Sequence, residues 1–135
     1  MTRKPLELGR GFEKKVFFSL GVVSSGRMLH TAGITARDAD GEIVGVGDIR
    51  AQVAQCFANL KDILGAAGAT FGDVVKYTIF TTDIDAFNEG TRDVRSPFFV
   101  DRPACTLVQV SRLIDPRMMV EIEAVVCLGG DGMRA

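Results

Sequence analysis

Two glutamates two residues apart near the C-terminus, Glu121 and Glu123, three cysteines and a single histidine, His30, are the side chains of this sequence with the most to offer a reaction. A carboxylate on a strand beside an apolar surface can have a raised pKa and move protons to and from water. The same pair also reads as ordinary sheet or interface charges balanced by Arg112 or Arg117, and the residues alone leave both readings open. Cys105 could act as a nucleophile only as a thiolate with a base beside it, and His30 is the one histidine available. A buried structural thiol is the commoner fate of a cysteine. His30, inside the apolar run Met28-Leu29-His30-Thr31-Ala32, reads as a hydrogen-bonded interface histidine rather than a general base. Cys56, Cys105 and Cys127 are an odd number at wide spacing, which fits neither a disulfide framework nor a C-x-x-C zinc site; no metal is expected, and the thiols are expected to be reduced.

The bulk properties narrow the field. A formal charge of -1, from 16 Lys+Arg against 17 Asp+Glu, leaves no electrostatic footprint for nucleic acid or an anionic membrane. Residues 1–10 mix basic, acidic and apolar types without the continuous apolar stretch of a signal peptide, and no run of about 18 apolar residues occurs, so a cytoplasmic location without a spanning helix is expected. The glycines over 41–47 match neither G-x-x-x-x-G-K-[ST] nor G-x-G-x-x-G and are read as turns. With 47% hydrophobic residues, a chain of 135 can bury one core. A single domain is expected over 15–128, after an N-terminal segment 1–14 and before a tail 129–135.

The elements that must position these side chains follow from local pattern. Apolar runs at 15–20 and 27–34, separated by Ser24, Ser25 and Gly26, predict two strands joined as a hairpin. Asp40-Gly41 predicts a turn before a short strand, and Asp48 an N-cap. Behind it Ile49, Val53, Cys56, Phe57, Leu60, Ile63 and Leu64 fall at helical spacing, with Gln52 and Gln55 assigned to the polar side and Gly65 and Gly68 as the stop. The β-branched run 74–82 predicts a strand. Asp83 or Asp85 caps a second helix reaching about Phe99, irregular near Pro97. Two last strands, 105–113 and 118–128, flank a turn at Asp115-Pro116, giving the order ββ(β)αβαββ.

In the last strand Met118, Val120, Ile122, Ala124 and Val126 share one face, while Met119, Glu121, Glu123 and Val125 share the other. Two helices cover one face of a sheet. The apolar set belongs beneath them, and the open face, still bearing Met119 and Val125, is apolar enough to imply association of subunits through it.

Arg102-Pro103-Ala104-Cys105-Thr106, then Val108-Gln109-Val110-Ser111-Arg112-Leu113 and Val120-Glu121-Ile122-Glu123-Ala124, resemble the C-terminal signature of the Rid (YjgF-like) family. Asn59 to Leu64, Ala67-Gly68-Ala69, Asp73 to Lys76 and Thr81-Thr82-Asp83 resemble its first helix, glycine turn and following strand, so the likeness spans roughly 15–128. The resemblance implies an α+β, chorismate-mutase-like fold: one mixed sheet covered on one face by two helices, with a homotrimer formed through the other face and small-molecule ligands in clefts between subunits. It also implies hydrolysis of reactive imines and enamines without a cofactor.

On that resemblance Glu121 matches the glutamate near the ligand and is expected to position or activate water. Cys105 stands where imine-hydrolysing relatives carry an arginine that forks onto the substrate carboxylate, a contact worth about 1.5 to 3 kcal/mol that a thiol cannot make. Either the ligand lacks a carboxylate, another arginine such as Arg102 reaches in, or hydrolysis of amino-acid imines is lost; the first is preferred. Phe17 or Phe18 falls near the family's tyrosine, keeping the ring and losing the hydroxyl. Ala32-Gly33 stands where deaminases often have Ser-Gly. The expected site is Glu121 with Phe17, Phe18 and Leu107 shaping a less polar cleft, Ala32 beside it, and the Gly33 and Cys105 backbones supplying polar contacts. The expected function is deamination of an imine, enamine or related small unsaturated amine outside the simple amino-acid imines. The alternative is a non-catalytic small-molecule-binding or regulatory trimer. Ribonuclease, a name some relatives carry, is opposed by the near-neutral charge and single histidine.

Overall fold

In the computed structural model, which describes residues 3–129, six strands and three helices follow one another along the chain. Strand β1 (Arg3–Pro5) pairs antiparallel with β2 (Val22–Ser24) in a small separate ribbon. The main sheet holds β3 (Arg27–His30), β4 (Val74–Thr81), β5 (Ala104–Gln109) and β6 (Val120–Gly129) in the order β3-β6-β4-β5; β4 and β5 run parallel and the other pairs antiparallel. Helices α1 (Ile49–Ala66), α2 (Ile84–Gly90) and α3 (Arg92–Arg95) complete the α+β fold.

Local chemistry explains why the helices start where they do. Asp48 accepts a hydrogen bond from the Ala51 amide, Asp83 accepts one from the Ala86 amide, and each thereby satisfies a donor that the first helical turn leaves open. The α1 face that carries Val53, Cys56, Phe57, Leu60 and Leu64 is buried against Tyr77 and Ile79 of β4 and Val120, Ile122, Ala124 and Val126 of β6, as the alternation of the last strand requires. Each of the valine, leucine, isoleucine and phenylalanine side chains among them contributes roughly 1.5–3 kcal/mol on burial. Phe57 stacks on Phe98 at 4.5 Å, and the Tyr77 hydroxyl donates to the Phe98 carbonyl at 2.7 Å, so the one tyrosine buries its ring without stranding its polar end.

Four expectations are corrected. The hairpin does not form: β2 turns to β1 and β3 to β6, and residues 16–20 hold only a bridge from Ser19 to Ala104. Arg102 explains much of this, because its Nη2 donates to the carbonyls of Glu13 (2.7 Å) and Phe18 (3.1 Å) while Ser19 Oγ donates to the Arg102 carbonyl (2.6 Å), pinning that segment as a loop. The second helix is broken at Thr91, whose hydroxyl donates to the Phe87 carbonyl at 2.6 Å, and ends in a 3-10 turn at Ser96–Phe98 containing Pro97. Gln52 is buried, not on the polar side: its amide donates to the Arg117 carbonyl (2.8 Å) and accepts from the Met119 amide (2.7 Å), so it tethers the approach to β6. Finally, the strand expected over 105–113 ends at Gln109, beyond which Arg112 donates to the carbonyls of Leu113 and Ile114, closing the connection on itself. Of the expected tail 129–135, residues 130–135 lie outside the described residues.

Candidate active site

Strand register divides the expected site residues between the two faces of the sheet. Cys105 pairs with Tyr77 and Leu107 with Ile79, so both side chains lie on the helix side and pack against the core. Glu121 pairs with Phe80, one residue out of phase with Ile79, and lies on the open face. The eight-residue strand β4 therefore stands between the two groups.

On the helix side Phe17, Phe18, Cys105 and Leu107 line one cavity of about 240 Å³. These four expected residues thus come together around one cavity, apart from Glu121, Ala32 and Gly33, and Phe17 and Phe18 sit in a loop and not in a strand. Phe17 meets Phe99 edge-on at 4.7 Å, which fixes the ring at the cavity wall. Burial pushes the Cys105 thiol up to about 11, against the pull of Lys76 and Arg95, so the group is a protonated thiol near neutral pH. His30 is on β3 and Cys105 on β5, at opposite edges of the sheet and about 14 Å apart by strand spacing, so one chain makes no Cys-His pair.

Sequence reasoning missed the rest of the cavity wall. Arg95 and Arg92, together with Asn88, line it alongside the four expected residues. The guanidinium carbons of Arg92 and Arg95 stand 4.8 and 5.6 Å from the Phe17 ring centre, and Arg95 is 4.7 Å from that of Phe87. The available signal was Arg92-x-x-Arg95 in a helical stretch, a spacing that puts both on one face. Arg102, the arginine considered from sequence, is not part of this wall; it holds the carbonyls of Glu13 and Phe18, with Glu7 at 3.7 Å.

On the open face the loop after β3 brings Gly33 against Glu121. A Cβ at Gly33 would fall 2.5 Å from Oε2 and 2.7 Å from Cδ of Glu121, so the absence of a side chain there is what admits the carboxylate. Ala32 lies next to this contact, in a shallow groove shared with Arg37, Asp38 and Asn59. The half-buried Glu121 makes no ion pair among the described residues. Arg117 is taken by Asp115 at 2.8 Å and Arg112 by backbone carbonyls, and neither pairs with Glu121 or Glu123 among the described residues. The negative charge of Glu121 adds to burial in raising the Cys56 thiol to about 12. Among the described residues no cluster of His, Cys, Asp or Glu is gathered to hold a metal ion, and no helix is long and apolar enough to cross a membrane.

The comparisons with known proteins agree with the fold. A family model described as endoribonuclease L-PSP matches residues 13–128. A RutC family protein of Pyrococcus horikoshii is 38% identical over 105 residues, covering 76% of this chain and 81% of that protein. A 2-iminobutanoate/2-iminopropanoate deaminase of Escherichia coli K12 is 36% identical over 109 residues, covering 76% of this chain and 81% of the enzyme. Among solved structures, the Rid family protein YyfB of Yersinia pestis, described as of unknown function, matches with a TM-score of 0.87 and 36% identity over 95% of this chain and 100% of its own.

Proposed function

The chain belongs to the Rid (YjgF-like) family, and on that premise we propose that it hydrolyses a reactive imine or enamine to a carbonyl compound and ammonia, in clefts shared between the subunits of a homotrimer. The observation that carries this reading is the position of Glu121, a carboxylate seated on Gly33 on the open sheet face, opposite the Cys105 cavity. Because β5, which carries Cys105 and Leu107, is an edge strand of the sheet, this reading has a second copy approach the open face by that edge, so that its cavity meets the carboxylate. An enzyme assembled this way uses both halves that each chain carries.

The chemistry asks for orientation, one water and a proton carrier. Protonation of the nitrogen makes the imine carbon electrophilic, and water adds to it while Glu121 takes the water proton. Glu121 then hands that proton to nitrogen, and as ammonia leaves the carbinolamine hydroxyl gives its proton back to Glu121 and becomes the carbonyl, with no net change of oxidation state. General acid–base help of this kind contributes about 10²–10⁴-fold. Phe17, Phe18 and Leu107 shape the cavity, and the Gly33 and Cys105 backbones are the expected polar contacts. A thiol at position 105 offers no fork to a carboxylate on the imine carbon, so the substrate is expected to lie outside the simple amino-acid imines.

The protonated Cys105 and the missing hydroxyl at Phe17 or Phe18 also suit the second reading, a trimer that binds a small molecule without turning it over. RNA is not the proposed substrate, since the chain has a net charge of -1 and its single histidine stands apart from the cavity. Ammonia release from freshly generated imines, with and without a carboxylate, separates the readings when wild type is compared with Glu121→Gln. A deaminase loses turnover in the variant while keeping affinity for a carbonyl product analogue. Equal rates in the two proteins would remove Glu121 from the reaction.

A further inference from the structure

Charged side chains are rarely buried without a partner of opposite sign, and Arg95 breaks that rule inside the cavity. It is 5% exposed. Its Nη1 donates to the Phe87 carbonyl (3.0 Å), the Asn88 carbonyl (3.4 Å) and Thr91 Oγ1 (2.9 Å), and its Nη2 to Asn88 Oδ1 (3.3 Å), all of them neutral acceptors. Its Nε makes no hydrogen bond and no carboxylate lies within ion-pair distance, among the described residues. Burial first, and the like charge of Arg92 second, hold its pKa below the usual guanidinium value.

Arg92 sharpens the anomaly. One helical turn away on the same face, it stacks on the same Phe17 ring and, among the described residues, donates only to the Lys15 carbonyl, at 3.5 Å. The one acid between the two in sequence, Asp93, is turned away and held by Arg50 through bonds of 2.7 and 2.8 Å. Two guanidinium groups therefore line an otherwise largely aromatic and aliphatic cavity with no counter-charge of their own.

We propose that Arg95, with Arg92 beside it, binds a carboxylate of the ligand. Nη1 of Arg95 is saturated and one Nη2 hydrogen goes to Asn88 Oδ1 at 3.3 Å, so Nε and the second Nη2 hydrogen are the donors left to fork onto two oxygens, which is the arrangement that suits a planar carboxylate. The acid is then received by helix α3 and not by position 105 on β5, as fits a substrate outside the simple amino-acid imines. This rests on the reading of the Cys105 cavity as the ligand site, and it names the substrate class as an anionic imine or its anionic carbonyl product.

The test is equilibrium binding of 4-oxopentanoate against pentan-2-one, which has the same carbonyl and no acid, to the full-length protein by calorimetry or ligand-observed NMR. Wild type is expected to prefer the acid by about tenfold or more, and Arg95→Lys and Arg92→Gln each to cut that preference by roughly fivefold, as loss of a charge-assisted fork demands. Arg95 also supports the carbonyls ending α2, so a thermal melt accompanies each variant. If Arg95→Lys fails to fold, Arg92→Gln, which alters an exposed side chain, carries the test. No preference in wild type, or a preference indifferent to Arg92→Gln, overturns the proposal; the second is also the result if the arginines instead meet a neighbouring subunit's carboxylate. Loss of the arginine role with imine hydrolysis intact refutes this inference alone. An arginine-dependent preference in a protein that hydrolyses no imine refutes the deaminase reading and leaves this one standing.

Discussion

On its helix side the sheet meets aromatic rings, a protonated thiol and two arginines with no carboxylate, whereas on its open side it carries Glu121 and Glu123 with no cation paired to either among the described residues. Each face lacks what the other holds. Because successive residues of a strand point to opposite faces, no side-chain movement within one chain joins Cys105 to Glu121. The division is as strict as the pairing register, Cys105 with Tyr77 and Phe80 with Glu121. It teaches that one chain by itself does not bring the two groups together, and that each face can be damaged without touching the other.

The largest expected effect comes from the open face: Glu121→Gln should lower kcat for imine hydrolysis by about 100-fold or more with the melting temperature unchanged, because a proton carrier is removed and the shape kept. A mixing experiment tests the division itself. Cys105→Phe fills the cavity, so this variant and Glu121→Gln are each expected to be inactive alone, but co-refolded together they should recover part of the wild-type ammonia release. Complementation requires that the intact carboxylate and the intact cavity come from different chains, and no recovery would mean that one chain supplies both.

Alkaline pH probes the helix side. Cys105 and Cys56 keep their protons up to about 11 and about 12 in the folded chain, whereas unfolded thiols ionise near 8.5. The stability they contribute is fully present below about pH 8.5 and is lost as pH rises towards the folded values, by about 3 kcal/mol for Cys105 alone. Urea midpoints should fall between pH 9 and 11, and Cys105→Ala should flatten that fall. The smallest effect is at Gly33. Gly33→Ala forces the Glu121 carboxylate aside, since the new methyl would sit 2.5 Å from Oε2, and should cost about tenfold in kcat/KM while stability moves by under about 1 kcal/mol. Unaltered turnover in Gly33→Ala would show that the contact does not set the position of the carboxylate.

What the sequence determined by itself is whatever depends on residues within a turn of one another. The Asp48 cap, a second cap at Asp83 or Asp85, the buried stripe of α1 and the separation of Val120, Ile122 and Ala124 from Glu121 and Glu123 all follow from short-range spacing, and the fold shows each of them, with Asp83 as the second cap. The spaced blocks around Cys105 and Glu121 were enough to identify the family. Only the tertiary structure decided which strand pairs with which. The turn at Ser24 to Gly26 looks like a hairpin, yet β2 turns back to β1 near the N-terminus and β3 finds β6 across more than 90 residues, because a turn lets two strands meet without obliging them to. The same long-range pairing put Gln52 under the approach to β6 and Arg95 into the cavity beside Cys105, contacts between residues too far apart for any periodicity to register. It also set Cys105 and Glu121 on opposite faces, since facing is a property of the register between β4 and its two neighbours and not of either strand alone.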